Sequence, residues 1–471
     1  MGQAHRQCRG DDVRRRAFLH QRSRRRRGRT AGGVCPTGAD AVTDPVVVAG
    51  LAVETPGGID TPAALWQALC DHRELLSPFP RDRGWPIDDL LSVSEADGWG
   101  RVPDSGGFLT GAAKFDPPFF GITHREALVM HPQQRVAMRV AWRALENAGI
   151  NPGSVEGEFG GCYVGMSMTE YGTRTAVADD YSGHRTVGMG QLGGAGRISH
   201  GLGLTGPSMC IDSACGSSLT ALQLAVNAIT MDECEWALAG AVCVLGSPAA
   251  FFEFAKLHAL SDDGHCRAYS EDATGTVWGE GAGMLLLERE SRARQLGHRV
   301  YGRILAARTN HNGKGKPILV PRVRAQEQVV RKTLDAAGID PADVGMIEGH
   351  GTATPAGDPV ELLALFQTYG AGGSEALLGS IKSNAGHAQA AAGILGLIKV
   401  LLAGRHGYIP PTLFSDNPTK KLDWDLTGIR LATKLTEWQP KDGVRYGAAS
   451  SFGAGGANAH AIVAMPAQND K

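Results

Sequence analysis

Cys215 stands where a strand turns into a helix. In Pro207-Ser208-Met209-Cys210-Ile211-Asp212-Ser213-Ala214-Cys215-Gly216-Ser217-Ser218-Leu219, apolar Met209 and Ile211 alternate with polar neighbours, as at a strand end. Leu219, Leu222, Val226 and Ile229 then recur at helical spacing. The spacing puts Cys215 at a helix N-terminus, where free N–H groups and the helix dipole favour thiolate over thiol. A thiolate attacks thioesters. A buried structural cysteine is the alternative. Two histidines occupy similar turns. His350 follows an apolar strand in Glu348-Gly349-His350-Gly351-Thr352-Ala353-Thr354, and His387 closes Lys382-Ser383-Asn384-Ala385-Gly386-His387 before an alanine-rich run. Each alone reads equally well as a turn histidine with a local hydrogen bond, and Lys382 as a solvated strand-end lysine. Together, one thiolate and two imidazoles suit acyl transfer followed by stabilisation of an enolate oxygen.

Two further stretches sit near these turns. Asp358-Pro359-Val360-Glu361 is a helix-start signature, with Asp at the N-cap, Pro at N1 and Glu at N3, so Glu361 is expected to cap unless its carboxylate serves the imidazoles. Ser450-Ser451-Phe452-Gly453-Ala454-Gly455-Gly456-Ala457-Asn458 is a glycine-rich loop between strands that can aim N–H groups at a charged oxygen. It lacks the Lys-Ser/Thr and the following helix of a phosphate loop. Gly279-Glu280-Gly281-Ala282-Gly283 runs into a strand and reads as a core turn.

The elements that must hold these residues alternate. Apolar strands are expected at Pro45–Leu51, Gly161–Gly165, Trp236–Val242 and Met284–Glu288, with a helix from Thr61-Pro62 and another over 124–148 that Pro132 interrupts and Gly149 stops. Residues 78–107 read as loop. A second series begins near Arg299: strands at Tyr301–Leu305, Val344–Glu348 and Ala376–Ile381, helices over 325–337, after Asp358 and over 389–403, and closing strands near 446–451 and 458–464. This pattern predicts an α/β protein of two βαβ-type lobes with mostly parallel sheets.

Composition agrees with a globular chain of two lobes: 471 residues, 42% hydrophobic, 20% charged, 64 Gly. No apolar run reaches membrane-spanning length and no signal-peptide core is present. Nine Cys without a CxxC pair argue against a disulfide framework and a structural zinc site, and fit a reducing cytoplasm. Residues 1–43 carry eleven Arg against three Asp, including Arg24-Arg25-Arg26-Arg27, without hydrophobic periodicity. They are expected to be a disordered basic extension ahead of a fold starting near Asp44. The body is then acidic, which argues against nucleic acid as the partner.

Asp212–Ser218, His350–Thr354, Gly357-Asp358-Pro359, Lys382–His387 and Ser451–Asn458 together resemble, in order and context, a β-ketoacyl synthase of the thiolase superfamily, over about 45–465. Gln133-Gln134-Arg135 and Trp278-Gly279-Glu280-Gly281 resemble the modular polyketide synthase type. The resemblance implies a thiolase-like fold of two pseudo-duplicated lobes in α-β-α-β-α layers, 44–298 holding the nucleophile and 299–471 the histidines, usually as a homodimer. It implies decarboxylative Claisen condensation: Cys215 takes an acyl chain from a carrier-protein phosphopantetheine. His350 and His387 would assist decarboxylation of a malonyl-type extender and hold the enolate oxygen, with Lys382 and Glu361 supporting them. The N–H groups of Cys215 and Ala454 would form the oxyanion hole. Thr352 and Thr354 would touch the pantetheine arm, and Phe452 would complete the substrate-binding set. No metal and no cofactor beyond the carrier's own arm is implied. Acyltransferase and reductase would come from other chains, since neither follows the last strand.

The chain also resembles the stand-alone ketosynthases of mycobactin-type siderophore assembly. A fatty acid elongation synthase and a non-enzymatic scaffold are the other readings. Three relatives fit less well. A chain-length factor would lack the nucleophile, a thiolase would carry a second catalytic Cys near the C-terminus, where the last Cys here is Cys266, and a chalcone-type synthase would show Asn in place of His387. His131 stands where the family usually has Asp, Ala385 and Gly349 are small variants, and Ala454 replaces a bulkier residue, which implies a roomier acyl entrance.

Overall fold

The computed structural model describes residues 44–93, 98–167, 170–171 and 181–467. The segment expected to be a basic extension, 1–43, lies outside them. Among the described residues, eleven strands join in one hydrogen-bonded ladder. They are β1 (Val46–Glu54), β2 (Gly160–Gly165), β3 (Ser208–Ile211), β4 (Trp236–Cys243), β5 (Gly281–Arg289), β6 (Gly302–His311), β7 (Val344–Glu348), β8 (Leu377–Gly379), β10 (Arg430–Leu431), β12 (Val444–Phe452) and β13 (Ala457–Pro466). Two short strands, β9 (Tyr408–Ile409) and β11 (Thr436–Glu437), pair with each other.

The ladder is a repeat. Read inward from one edge the order is β3-β2-β4-β5-β1; read inward from the other it is β8-β7-β12-β13-β6, with β10 added outside β8. Strand directions match as well. β2 is parallel to β3 and β4, and β7 is parallel to β8 and β12. The two innermost strands of each half run antiparallel to their neighbours. β1 and β6 join the halves through Val47–Arg303 and Val48–Gly302. The sheet is therefore mixed, which corrects the expectation of mostly parallel sheets. Strands such as β1 and β4 are buried along their whole length, so their apolar runs look alike in either direction.

The helices repeat too. α1 (Pro132–Asn147) and α2 (Gly193–Leu202) link β1 to β2 and β2 to β3. α4 (Val323–Ala337) and α5 (Gly357–Leu365) do the same in the second half. α3 (Ser217–Thr230) follows β3, and α6 (Ala392–His406) follows β8. α1 covers β1 and β5, and α4 covers β6 and β13, as outer layers. α3 and α6 pack together and against strands of both halves, as the middle layer. A middle helix should be apolar on every side, and α6 is buried from Ala392 to Gly404. Its contact with α3 is close: a Cβ on Gly393 would lie 2.8 Å from Leu219 Cγ and Ser218 Oγ.

Boundaries follow local chemistry. Pro132 begins α1 after a separate short helix, His124–Val129, and His131 Nδ1 accepts the Gln133 N–H at 3.1 Å as its cap. His131 thus does the capping that an Asp would do. Gly149, at φ +81°, ends that segment. The stretch 78–107, expected as loop, also holds a short helix, Ile87–Ser92. The helix at Asp358 begins two residues earlier than its signature predicts, at Gly357 with Ala356 at the N-cap, so Asp358 is not the N-cap and Glu361 is too deep in the helix to cap it.

Candidate active site

Four turns meet at one cavity, and each follows the carboxyl end of β3, β7, β8 or β12, from the parallel part of its half. The β3 turn carries Cys215. Ala214 is held at φ +54°, a strained value for a residue with a Cβ. Hydrogen bonds fix it there. Asp212 Oδ1 accepts the Ala214 N–H at 2.9 Å, Ser217 Oγ accepts the Ser213 N–H at 2.9 Å, and Ser217 Oγ donates to the Ala214 carbonyl at 2.6 Å. From the other half, Ser451 Oγ donates to the Cys215 carbonyl at 2.6 Å.

The turn after β7 presents His350, and the turn after β8 presents Lys382 and His387. The sulfur of Cys215 and the reaching nitrogens of His350 and His387 all lie within 4.8 Å of one another. The two imidazoles face edge to plane, with centroids 5.3 Å apart. Gln389 N–H donates to His387 Nδ1 at 3.1 Å, so the neutral ring carries its proton on Nε2. Burial and then the charge of Lys382 hold both histidines well below the usual imidazole range, so both are neutral donors.

The thiolate expected at Cys215 is not the resting form. Burial pushes the thiol above its ordinary value; Lys382 and the Ala454 and Cys215 N–H groups offset that rise only in part, and Asp212 adds a smaller rise of its own. The helix N-terminus is where the sequence puts it; sequence does not reveal that Cys215 is buried, with only 7% of the residue exposed. Those two N–H groups are the pair expected as the oxyanion hole, and both are directed at the sulfur. The loop that supplies Ala454 fits only with glycine at 453, where a Cβ would lie 2.4 Å from the Ser213 carbonyl oxygen.

Glu361 corrects the capping expectation. Its Oε1 accepts the His350 N–H at 2.6 Å, and its Oε2 accepts the Gly351 N–H at 2.8 Å and the Tyr269 hydroxyl at 2.9 Å. It braces the histidine turn from beneath. Burial raises its carboxyl, and these three bonds oppose the rise. Lys382 is buried, which lowers its ammonium, and Glu348 first and Glu361 second oppose that. Beside them burial pushes Asp358 up to about 7. Sequence reasoning did not mark Glu348, Tyr269 or Asp358 as part of this site, since their partners lie far along the chain. Away from the cavity wall, Glu280 is fully buried as well; its carboxylate pairs with Arg83 and accepts the N–H groups of Leu109 and Leu245.

The cavity is about 340 Å³. Cys215 and the two histidines line it, as do Phe452, Ala454, Thr352 and Thr354. The Phe452 ring lies 5.6 Å from His350. The hydroxyls of Thr352 and Thr354 are 3.1 Å apart, and Thr354 Oγ1 accepts the Gly357 N–H. Every residue expected in the site is thus at the cavity wall or, for Lys382, directly behind it. Among the described residues, Cys215, His350 and His387 are also the one group of such side chains close enough together to hold a metal ion.

Comparison with known proteins gives one answer. The family profile described as "Beta-ketoacyl synthase, N-terminal domain" matches residues 43–293, and "Beta-ketoacyl synthase, C-terminal domain" matches 301–415. The chain is 42% identical to the polyketide synthase GfsE of Streptomyces halstedii over 93% of its own length and 12% of that protein's. It is 41% identical to the mycoketide-CoA synthase of Mycobacterium tuberculosis, over 89% of itself and 10% of that protein. It therefore spans about a tenth of the length of these relatives. Among solved structures it is similar to the OzmH KS7 oxazolomycin ketosynthase domain of Streptomyces albus JA3453, with a TM-score of 0.82 and 36% identity over 90% of this chain and 74% of that one. The ketosynthase of bacillaene synthase module 6 from Bacillus subtilis 168 gives 0.82 and 32%, over 90% and 72%.

Proposed function

The chain belongs to the β-ketoacyl synthase family, and from that premise we propose that it catalyses decarboxylative Claisen condensation on carrier-protein thioesters in polyketide or lipid assembly. The carrying observation is the gathering of Cys215, His350 and His387 within 4.8 Å, with two N–H groups directed at the sulfur.

In the first half-reaction the Cys215 sulfur attacks the carrier's acyl thioester. The N–H groups of Cys215 and Ala454 hold the tetrahedral oxyanion, and the carrier leaves as a free thiol, taking the proton that burial kept on Cys215. In the second, a malonyl-type thioester enters and its carboxylate leaves as CO₂. The electron pair passes into an enolate whose oxygen is held by the Nε2–H of His387 and by His350. Neutral donors suit this, because they stabilise charge only as it develops. The enolate carbon attacks the acyl-Cys215 carbonyl, the sulfur is expelled as thiolate and takes a proton from solvent to regain its resting form, and a β-ketoacyl thioester departs on the carrier. Lys382 holds a positive charge behind the imidazoles, and Thr352 and Thr354 line the path of the pantetheine arm.

We further propose a carrier protein as partner, with acyltransferase and reductase steps supplied elsewhere, and a homodimer. In support of the dimer, β3 is an edge strand whose Met209 is 41% exposed. A cytoplasmic location agrees with free cysteines at all seven described positions, and no described helix is long and apolar enough to cross a membrane.

The test is intact mass after incubation with acyl-carrier thioesters. Wild type should gain one acyl group, and Cys215→Ala none. His387→Ala should still load while releasing CO₂ from the malonyl thioester much more slowly. Stoichiometric zinc with no acyl adduct would refute the proposal.

A further inference from the structure

Beneath the site lies an ion pair that the reaction above does not use. Glu348, the last residue of β7, is 2% exposed, and Lys399, mid-way along α6, is fully buried; Lys399 Nζ lies 2.8 Å from Glu348 Oε2. The other carboxylate oxygen, Oε1, accepts the N–H of Ile381, the residue before Lys382. The surroundings are cut to fit. A Cβ on Gly396, one turn before Lys399, would lie 2.7 Å from Glu348 Cγ, and one on Gly379 would lie 3.2 Å from Lys399 Nζ. Gly379 is also the register partner of Glu348 across β7 and β8.

Stability alone is a weak reason for such a pair, since well-packed apolar side chains of like volume usually serve as well or better. Its placement offers another reason. One carboxylate grips β7 two residues before His350, the turn after β8 that leads to Lys382 and His387, and the middle helix. Facing Lys382 are Glu348, Glu361, Cys266 and Cys215, and its charge acts in turn on His350, His387 and Asp358. Glu348 is the strongest of its attractive partners. Two buried lysines thus share two buried carboxylates.

We propose that Glu348 and Lys399 are positioning residues, which lock the two histidine-bearing turns in register and set how much carboxylate charge Lys382 sees. The proposal rests on the condensing function argued above. It differs from mere structural support in what it demands of opposite substitutions. Glu348→Gln keeps an acceptor for Ile381 but leaves two buried cations facing one carboxylate. Lys399→Met frees Glu348 to hold Lys382 alone.

The experiment compares wild type, Glu348→Gln, Lys399→Met and the double variant, all purified as the full chain and checked for folding by circular dichroism. The readout is the pH profile of CO₂ release from malonyl-carrier thioester. Glu348→Gln should move the alkaline limb about one pH unit lower, with about a tenfold loss at pH values above that limb and little change on its acid side. Lys399→Met should move it higher, and the double variant should fall between. Shifts in the same direction, or a uniform fall with no shift, would overturn the proposal. So would failure of all three variants to fold beside an active wild type. A wild type that neither loads nor decarboxylates would instead overturn the function on which the proposal rests.

Discussion

Replacing Glu361 by Gln changes one atom beneath His350. The carboxylate accepts three buried donors: the His350 N–H at 2.6 Å, the Gly351 N–H at 2.8 Å and the Tyr269 hydroxyl at 2.9 Å. An amide has one acceptor oxygen and one NH₂ group. The Tyr269 hydroxyl can turn and accept, but one of the two backbone N–H groups must then face NH₂. An orphaned buried donor costs about 1–3 kcal/mol. Neutralising Glu361, whose buried carboxyl sits above its usual range, returns part of that loss. The net destabilisation is then roughly 1–2 kcal/mol, a small fall in melting temperature for a chain this long. The kinetic effect should be larger. If the orphaned N–H lets the His350 turn move by about 1 Å, the step that needs the imidazole slows by about 10²-fold. Acyl loading, on the turn after β3, should stay within about threefold of wild type on the same reasoning. Intact-mass loading and CO₂ release, measured on one preparation, separate the two steps. Equal losses in both, or no loss in decarboxylation, would refute the reasoning that Glu361 acts through the His350 backbone.

Three further outcomes are expected. Burial raises Asp358 from 3.8 to about 7, so the stability tied to its protonated form is complete below about pH 4 and is lost as pH rises toward 7. Its carboxyl accepts the Tyr269 N–H at 2.7 Å and faces the Ala353 N–H, a pattern the amide oxygen of Asn can keep in part, so Asp358→Asn should fit and should flatten denaturant stability over that window; parallel curves for the two proteins would contradict this. Gly453→Ala would press a Cβ against the Ser213 carbonyl oxygen at 2.4 Å, displacing Ala454 from the sulfur, so acyl loading should drop by about 10²-fold with the fold retained; unaltered loading on intact mass would count against the oxyanion role of Ala454. Ala454→Phe should shift competition between short and long acyl thioesters toward short ones, and an unchanged ratio would remove the argument for a roomy entrance.

The residues gathered at the cavity were legible because each lies in a stretch whose local pattern is strong. Strand-turn-helix spacing marks Cys215, and apolar strands followed by glycine turns mark His350 and His387. What supports them was not legible. Glu361 read as a cap because Asp-Pro-x-Glu is a cap signature, yet its bonds run back to His350 and Gly351, a contact across a turn with no periodicity to betray it. Glu348 and Lys399 read as a strand end and a helix interior; nothing local says that they meet. Thiolate character was misjudged at Cys215 because the helix N-terminus is visible in sequence and burial of a sulfur is not. Strand direction failed for the same kind of reason, since β4 is apolar throughout and β5 is buried from Gly281 to Glu288 although they run antiparallel.

The repeat explains why two halves are needed for one site. β3 and β8 hold equivalent places in their halves, and each sends a turn into a middle-layer helix, α3 or α6. The Cys215 turn and the Lys382–His387 turn are therefore counterparts, brought face to face because α3 and α6 pack so closely that Gly393 has no room for a Cβ. Ser218 Oγ accepts the Ile394 N–H at 3.0 Å across that contact, and Ser451 reaches back to the Cys215 carbonyl. Helix packing in the middle layer thus sets the distance between the Cys215 turn and the His387 turn, and the hydrogen bonds within each turn hold the side chains on that frame. A single methyl at Gly393 should widen that contact and move the Cys215 sulfur away from the imidazole of His387 without altering any side chain of the site itself.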